Sequence, residues 1–347
     1  LVLWPAFRRF GMLDLRRELV APGLFGLGML AGYGFLAVAP QISREMDAVR
    51  FHEYGGPEVL VVERVPVPRP GPGQVLVQVH AAGVNPVDWK VRQGGLRGMG
   101  PDLPQIPGYD VAGIVATVGE DVERLQVGDE VYGYLSLQRG GAYAEYVVAE
   151  ESELALNPEE LSFVEAAAMP LAALTAWQAL FDNADLQAGQ TVLVHAGAGG
   201  VGHFAVQLAH ARGAKVIATA SERNHEFLRE LGADVVIDYR TQRFEEVAGE
   251  VDVVLDSIGG DTQQRSLQVL RPGGFLVSIV GGPDAAALEQ RGLRGAGMLV
   301  QPSAAQLDEL SALVVAGELR PVVSHVFPLA EARKAHEQSE TGHTRGK

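Results

Sequence analysis

The second half of the chain alternates short apolar runs with longer stretches in which apolar residues recur at helical spacing. Each apolar run has the length of one strand. Strands that alternate with helices predict parallel βαβ units, and hence an α/β domain with a doubly wound parallel sheet. The five predicted strands are Val192–Val194, Lys215–Ala220, Ala233–Tyr239, Val251–Asp256 and Phe275–Gly281.

A glycine-rich turn follows the first of these strands, with Gly197, Gly199 and Gly202 in G-x-G-x-x-G spacing. The first glycine permits a tight turn, the second lets the backbone approach a pyrophosphate, and the third allows close helix–strand packing. Residues 204–209 have helical spacing, so the N–H groups at the start of that helix would face an anion. This context predicts a dinucleotide site formed by Gly197, Ala198, Gly199, Gly200, Val201 and Gly202.

The end of the second strand indicates which dinucleotide binds. About 20 residues past the glycines, NAD sites usually carry an acid for the ribose 2′-hydroxyl. This chain has Ser221 there, followed by Glu222 and Arg223. A small hydroxyl and a guanidinium suit a 2′-phosphate, which a carboxylate would repel. We therefore expect NADPH, with Glu222 pointing away. The alternative is that Ser221 caps the next helix and Arg223 is solvated.

Four residues directly follow the ends of predicted strands. They are Ser221, Tyr239, Ile258 and Val280. Because ligands bind at the carboxyl ends of parallel strands, we expect these residues along the sheet edge that carries the cofactor.

The front half of the chain has a different pattern. From Met46 to about Pro170, short apolar strands are separated by turns rich in glycine and proline. This pattern is typical of a mostly β domain of barrel-like character. Within it, Asp110–Gly119 is predicted to be a core strand.

Residues 1–45 do not fit either pattern. The sequence opens without methionine and is uncharged from Leu19 to Ser43. Our preferred interpretation is that residues 1–45 are an extension outside the enzyme, joined by a misplaced start, with Met46 as the true first residue. The alternative is a membrane anchor at 19–43, since this run is long enough to span a bilayer.

Composition narrows the function classes. The net charge is −15, with 28 basic and 43 acidic residues, which disfavours binding to nucleic acid or to anionic membranes. The chain has no cysteine, which excludes disulfides and thiol catalysis.

From residue 46 on, the sequence resembles the zinc-free medium-chain dehydrogenases/reductases, specifically quinone oxidoreductases and enone (alkenal/one) reductases. The resemblance rests on motifs that occur together and extend to the end of the sequence. These are Met46-Asp47-Ala48-Val49, Tyr54-Gly55-Gly56-Pro57, Gly83-Val84-Asn85-Pro86-Val87-Asp88, Pro107-Gly108-Tyr109-Asp110, Val127-Gly128-Asp129-Glu130-Val131, Gly141-Ala142-Tyr143-Ala144-Glu145-Tyr146, Leu174-Thr175-Ala176-Trp177, the glycine motif, and Thr344-Arg345-Gly346-Lys347.

The resemblance implies a domain organisation. A GroES-like catalytic domain would comprise residues 46–170 and 301–347, and a Rossmann domain that binds NADPH would comprise 171–300. The active site would lie in the cleft between them, in a cytoplasmic homodimer. The family's chain continues past Lys347 with a further strand of the catalytic domain, so we expect that this sequence is cut at its C-terminus.

The resemblance also implies where the cofactor lies. Near the nicotinamide it places Asn85, Thr175 and the backbone of Ser278, Ile279 and Val280. At the adenosine phosphate it places Ser221, Arg223 and Tyr239.

We expect no metal in this site. Zinc needs cysteine, histidine or carboxylate ligands. At the positions that resemble the zinc ligands of related alcohol dehydrogenases stand Asn85, Tyr109 and Asp110, of which only Asp110 binds metal well. The remaining chemistry is hydride delivery from NADPH to a quinone or to the activated C=C bond of an α,β-unsaturated carbonyl.

Such a reaction needs a hydrogen-bond donor for the developing oxyanion, and a proton source. Asn85 supplies an amide donor, and Lys90 follows on the same short helical stretch. Lys90 stands where related quinone oxidoreductases often have a tyrosine, so Tyr54 and Tyr109 are the other candidates. The alternative for Lys90 is a solvated surface residue. We expect Asp88 to hold the local turn or to pair with Lys90.

Two other functions stay open from the sequence. One is an enoyl-thioester reductase. Such an enzyme would need a basic channel for the phosphate of its carrier, and the acidic composition of this chain does not indicate one. The other is a crystallin-like or RNA-binding protein that binds NADPH with little turnover, as some relatives do. The negative charge argues against RNA, and Asn85 argues against a purely structural role.

Overall fold

The computed structural model describes residues 1–4 and 42–347, and this part of the chain contains three β-sheets. The strands there are β1 (Val2–Trp4), β2 (Glu45–Arg50), β3 (Val61–Pro66), β4 (Gln74–Gly83), β5 (Asp110–Val118), β6 (Glu130–Tyr134), β7 (Tyr146–Glu150), β8 (Leu154–Leu156), β9 (Thr191–Val194), β10 (Lys215–Ala220), β11 (Val235–Asp238), β12 (Val251–Asp256), β13 (Leu270–Ser278), β14 (Arg294–Gly297) and β15 (Val326–Pro328).

The helices cover the sheets and carry the site. They are α1 (Pro86–Arg92), α2 (Phe163–Ala167), α3 (Pro170–Trp177), α4 (Gly202–Ala211), α5 (His225–Glu230), α6 (Phe244–Val247), α7 (Gly260–Ser266), α8 (Ala285–Gln290), α9 (Ala304–Val315) and α10 (Ala332–Glu340). A π-helical segment, Gln178–Asn183, extends α3, and short 3₁₀ turns occur at Pro57–Val59, Glu151–Glu153, Glu222–Asn224 and Leu329–Glu331.

The six-stranded sheet confirms the predicted fold class. Its order is β11-β10-β9-β12-β13-β14, and all of its strands are parallel. This order is that of doubly wound dinucleotide-binding domains. Neighbouring residues of β9 enter different cores, since Leu193 packs in one cluster and Val192 and Val194 in another. The central strands are therefore buried on both faces, which explains their continuous apolar runs.

Two features of this sheet escaped the sequence pattern. The strand predicted from Phe275 begins at Leu270. The turn residues between these two positions cause a shift in the register between β13 and β12. The edge strand β14 is glycine-rich and only partly buried, so it has no apolar run by which to recognise it.

The seven-stranded sheet forms the front domain, in agreement with the predicted mostly β character. Its order is β15-β1-β4-β5-β6-β8, with β7 also paired to β4. The predicted core strand is β5, which pairs with β4 on one side and β6 on the other. The carboxyl end of β4 leads directly into α1, and β5 begins beside it, because Gly83 pairs with Asp110.

Strand β1 lies inside this sheet, between β15 and β4. Leu1, Val2 and Leu3 are buried in this sheet, whereas the sequence predicts that residues 1–45 lie outside the enzyme. That assignment of residues 1–45 stays a prediction. The carbonyl of Lys347 accepts from Ser324, and the carbonyl of the next residue, His325, accepts from Val2. Lys347 and β1 therefore pair with consecutive parts of the same backbone segment, Lys347 at Ser324 and β1 from His325 onwards.

The membrane alternative for 19–43 stays a prediction, because residues 5–41 lie outside the described part of the chain. Among the described residues, no helix combines the length and the apolar character needed to cross a bilayer.

Arg92 holds α1 in place. Its side chain is fully buried, and its guanidinium donates to the carbonyl of Gly55 at 3.1 Å and to Glu340 at 2.6 Å. It also lies 3.0 Å from Nδ1 of His336. Since His336 and Glu340 belong to α10, this buried cation fixes α1 against α10 and so fixes the site residues that α1 carries.

We predict that Leu3→Ala destabilises the protein by about 2–5 kcal/mol, because it opens a cavity in the core. Leu3 is 0% exposed, whereas the adjacent Trp4 is 54% exposed. Trp4→Ala is the matched control, with an expected change of about 0.5 kcal/mol or less. Urea denaturation measures both, and equal small changes would show that β1 does not support the fold.

Candidate active site

The glycine-rich loop joins β9 to α4, as the motif predicts. A Cβ on Gly197 would lie 2.9 Å from the Cβ of Ala218 on β10, and a Cβ on Gly202 would collide with the carbonyl of Ala196. Only glycine allows this close approach of loop, strand and helix. The first N–H groups of α4 stand at the carboxyl edge of the parallel sheet, so the loop fits the pyrophosphate of a dinucleotide.

Exposed apolar side chains line the same edge. Tyr239 and Ile258 are each 54% exposed, and Val280 is 43% exposed. They follow the carboxyl ends of β11, β12 and β13, where the sequence places them. Large apolar groups exposed along one edge are typical of a surface that a ligand covers.

Asp256 holds this edge of the sheet in place by hydrogen bonds. It is fully buried, and its carboxylate accepts from the backbone N–H of Ile258 at 3.0 Å and of Gly259 at 2.8 Å. It also accepts from the hydroxyl of Ser278 at 2.9 Å, while its carbonyl accepts from Ile279 at 3.0 Å. One carboxylate thus fixes both the turn after β12 and the end of β13. Sequence reasoning missed Asp256, which ends an apolar run like many strand residues.

The turn after β10 contains the residues predicted for the 2′-phosphate. Ser221 is 6% exposed, whereas Glu222 and Arg223 are exposed. Within the described part of the chain, the Arg223 guanidinium makes no hydrogen bond or ion pair. The guanidinium of Arg345 donates to Asn224 Oδ1 at 2.8 Å and to the carbonyl of Arg223 at 3.0 Å. Arg345 was quoted only as part of a motif and was not predicted as a site residue, since it lies 121 positions from Asn224.

Four buried side chains form what we call the Asn85 cluster: Asn85, Asp88, Asp110 and Lys347. Asn85 occupies the N-cap position of α1, and its Nδ2 donates to Asp110 Oδ2 at 2.7 Å. Its Oδ1 accepts from the ammonium of Lys347, which also donates to the carbonyl of Val84 at 3.2 Å. The same ammonium lies 3.8 Å from Asp110. Sequence reasoning missed Lys347 as a site residue.

Asp110 joins this cluster to α3. Its second oxygen accepts from the backbone N–H of Leu171 at 2.7 Å, in the first turn of α3. Thr175, one turn on, is buried and donates its hydroxyl to the carbonyl of Leu171 at 2.6 Å. Burial raises the pKa of Asp110 and lowers the pKa of Lys347, while the opposite charge of each works against the shift of the other.

Asp88 holds the turn at the start of α1, one of the two roles expected for it. Its carboxyl group accepts from the N–H of Asn85 at 2.6 Å and from the N–H of Gly108 at 3.1 Å. The side chain is fully buried, and this burial raises its pKa to about 7. The nearby charge of Asp110 raises the pKa further, whereas the backbone hydrogen bond from Asn85 lowers it.

The three candidate proton donors have different surroundings. Lys90 is exposed, and its ammonium lies 5.6 Å from the centroid of the Trp89 ring. Among the described residues, no hydrogen bond joins Lys90 to Asn85 or Asp88. Tyr54 is half-buried, and the Cζ atom of the Arg97 guanidinium lies 4.3 Å from the centroid of the Tyr54 ring. Tyr109 is buried, and both burial and the charge of Asp88 raise its pKa.

The three positions that resemble zinc ligands carry Asn85, Tyr109 and Asp110. Both oxygens of Asp110 already accept hydrogen bonds, from Asn85 and from Leu171. Residues 1–4 and 42–347 contain no group of three or more histidine, aspartate or glutamate side chains arranged to hold a metal ion.

Comparison with known proteins finds related sequences and structures. The family description "Alcohol dehydrogenase GroES-like domain" matches residues 71–159, and "Zinc-binding dehydrogenase" matches residues 231–347. The chain is 40% identical over 317 residues to a chloroplastic NADPH-dependent alkenal/one oxidoreductase of Arabidopsis thaliana, covering 88% of this chain and 79% of that protein.

Two solved structures have the same fold. The quinone oxidoreductase from Coxiella burnetii has a TM-score of 0.80 and 41% identity, covering 87% of this chain and 98% of that one. The Escherichia coli quinone oxidoreductase complexed with NADPH has a TM-score of 0.79 and 33% identity, covering 86% and 98%.

We predict that Asp88 makes stability depend on pH. Its folded-state pKa of about 7 exceeds the ordinary 3.8, so the folded protein binds this proton more tightly than the unfolded chain does. The resulting stabilisation is complete below about pH 4 and is lost as the pH rises through about 7. Relative to Asp88→Asn, the free energy of unfolding should therefore fall across this range. Urea denaturation at several pH values measures it, and parallel curves for the two proteins would contradict the prediction.

Proposed function

Because the chain belongs to the medium-chain dehydrogenase/reductase superfamily, in the group of quinone oxidoreductases and alkenal/one oxidoreductases, we propose that it is an NADPH-dependent, zinc-independent reductase. Its acceptor is a quinone or the activated C=C bond of an α,β-unsaturated carbonyl. The named relatives support this reaction class, and the site geometry supports the assignment of residues to it.

One observation carries the proposal: the backbone N–H of Gly346 donates to the carbonyl of Ala198 in the glycine-rich loop at 2.9 Å, and the next residue, Lys347, binds Asn85. The pyrophosphate site and the Asn85 cluster are thus bridged by two consecutive residues. A dinucleotide held by the loop would extend one end towards Asn85 and the other towards Ser221.

The residues around Ser221 fit the adenosine end of NADPH. The exposed Arg223 guanidinium, with no partner in the described chain, offers a charge-assisted contact to a 2′-phosphate, and Ser221 adds a hydroxyl. The exposed Glu222 is free to point into solvent. When bound, NADPH supplies the hydride from C4 of its nicotinamide.

The Asn85 cluster fits the reacting end. Asp110 uses one of the two hydrogens on Asn85 Nδ2, so the second remains for an oxygen of cofactor or substrate. Because the amide is buried, a hydrogen bond from it to a developing oxyanion is stronger than in water. The proton source is open among Lys90, Tyr54, Tyr109 and water.

The proposal includes a homodimer in the cytoplasm, where NADPH is supplied. The edge strand β14 pairs only with β13 in the described part of the chain. Its other edge therefore offers backbone groups to a second copy. Light scattering that gives the mass of a single chain would contradict the dimer.

We predict that Arg223→Ala weakens NADPH binding by about 10- to 150-fold, which corresponds to a charge-assisted hydrogen bond of about 1.5–3 kcal/mol. NADH lacks the 2′-phosphate, so its affinity should not change. Fluorescence titration measures both dissociation constants. The wild-type protein should prefer NADPH, and equal affinities for both cofactors would contradict the assignment.

The function is tested by NADPH oxidation with a panel of quinones, enals, enones and enoyl thioesters. We expect turnover with quinones or enones, and a loss on the order of a hundredfold for enones in Asn85→Ala, as when an oxyanion donor is removed. Quinones need less polarisation and should lose less. The proposal would be overturned if the protein reduced none of the quinones, enals and enones. It would also be overturned if the protein reduced only enoyl thioesters.

If Lys90→Met changes neither turnover nor its pH dependence, the proton comes from Tyr54, Tyr109 or water.

A further inference from the structure

The segment Thr344–Lys347, which we call the strap, contacts three parts of the site that are distant in sequence. Arg345 holds the turn at Ser221–Asn224, Gly346 binds the glycine-rich loop, and Lys347 enters the Asn85 cluster. The backbone path of the strap is restricted, because Gly346 has a φ of +57° and a Cβ there would collide with the carbonyl of Val322. The strap therefore delivers the side chain of Lys347 to one defined place.

Burial and contacts along the whole residue fix the position of Lys347. It is 3% exposed, and the carbonyl of Lys347 itself accepts from Ser324, which anchors its backbone. Its side-chain Cδ lies 3.4 Å from where a Cβ on Gly200 would be, so the stem crosses the glycine-rich loop before the ammonium reaches Asn85. A buried ammonium without partners would be very costly, and here three oxygen atoms surround it, from Val84, Asn85 and Asp110.

The two partners of Asn85 fix which way its amide faces. Lys347 has only donors, and an ionised Asp110 has only acceptors. With Oδ1 on the ammonium and Nδ2 on the carboxylate, both hydrogen bonds are made. Rotating the amide by 180° would set oxygen against oxygen and nitrogen against nitrogen, losing both bonds.

We propose that Lys347 is a positioning residue for the nicotinamide half of the cofactor, acting through the amide of Asn85. This inference rests on the proposed binding of NADPH with its reacting end at Asn85. Without Lys347, the amide loses the contact that selects its orientation, and its second Nδ2 hydrogen is no longer held for the cofactor. The adenosine half, bound at Ser221 and Arg223, does not depend on that ammonium.

The test compares two ligands by fluorescence or calorimetric titration: NADPH, and 2′,5′-ADP, which carries only the adenosine half. In Lys347→Met, NADPH affinity should fall by up to about tenfold, as expected when the neutral hydrogen bond from the Asn85 amide to the cofactor is lost. Affinity for 2′,5′-ADP should stay unchanged. Lys334→Met is the matched control, because Lys334 is an exposed lysine whose side chain is 63% accessible, and both affinities should be unchanged there. Unchanged NADPH binding in Lys347→Met, or equal loss for both ligands, would overturn the inference.

A double-mutant cycle tests whether Lys347 acts through Asn85. The double variant Asn85→Ala with Lys347→Met should bind NADPH no more weakly than Asn85→Ala alone, because the group that Lys347 positions is already gone. Additive losses would show an independent role and contradict the proposal.

Lys347→Met leaves Asp110 as a buried charge without its cation, which threatens folding. Lys347→Met combined with Asp110→Asn removes both charges and should show the same split between NADPH and 2′,5′-ADP. If this protein folds and binds NADPH like the wild type, Lys347 has no positioning role of this kind. These measurements need no substrate, so a wild-type protein that binds NADPH but reduces no acceptor would overturn the proposed function and leave this inference standing.

Discussion

The carboxylate of Asp110 is the constraint on which the site depends. It is fully buried, so every hydrogen bond that water would provide has to come from the protein. Its oxygens are satisfied by Asn85 at the start of α1 and by Leu171 at the start of α3, with the ammonium of Lys347 at 3.8 Å. These three partners come from three separate parts of the chain. This one buried carboxylate thereby holds α1, α3 and the strap together.

A second buried carboxylate has the corresponding role in the parallel sheet. Asp256 fixes the turn at Ile258 and the end of β13 at Ser278, so it sets the shape of the edge along which a dinucleotide would lie. Asp110 and Asp256 each stand at one end of a strand, Asp110 as the first residue of β5 and Asp256 as the last residue of β12. Neither touches the proposed substrate in our account. They hold the groups that do, and rigid support of this kind is what a precisely positioned site requires.

Local patterns predicted the parallel sheet and its glycine-rich loop, because apolar runs and G-x-G-x-x-G spacing are read within one βαβ unit. The same is true of Asp88, whose bond to the N–H of Asn85 spans three residues. Strand β1 was missed, because three residues are too few to show a pattern and the strand is defined only by its pairing with β15 and β4. Lys347 was missed for a related reason: it lies 262 positions from Asn85, and no short-range pattern records that contact. Lys90 shows the converse, because its nearness in sequence to Asn85 does not bring their side chains together.

The most direct test of the account is the fate of the hydride. With NADPH carrying deuterium at both C4 positions and 2-cyclohexen-1-one as acceptor, the proposed reaction gives cyclohexanone with one deuterium at C3, the former β-carbon. Mass spectrometry and NMR locate the label. Deuterium on the carbonyl carbon of an allylic alcohol, or a saturated ketone without deuterium, would contradict hydride transfer to the activated C=C bond.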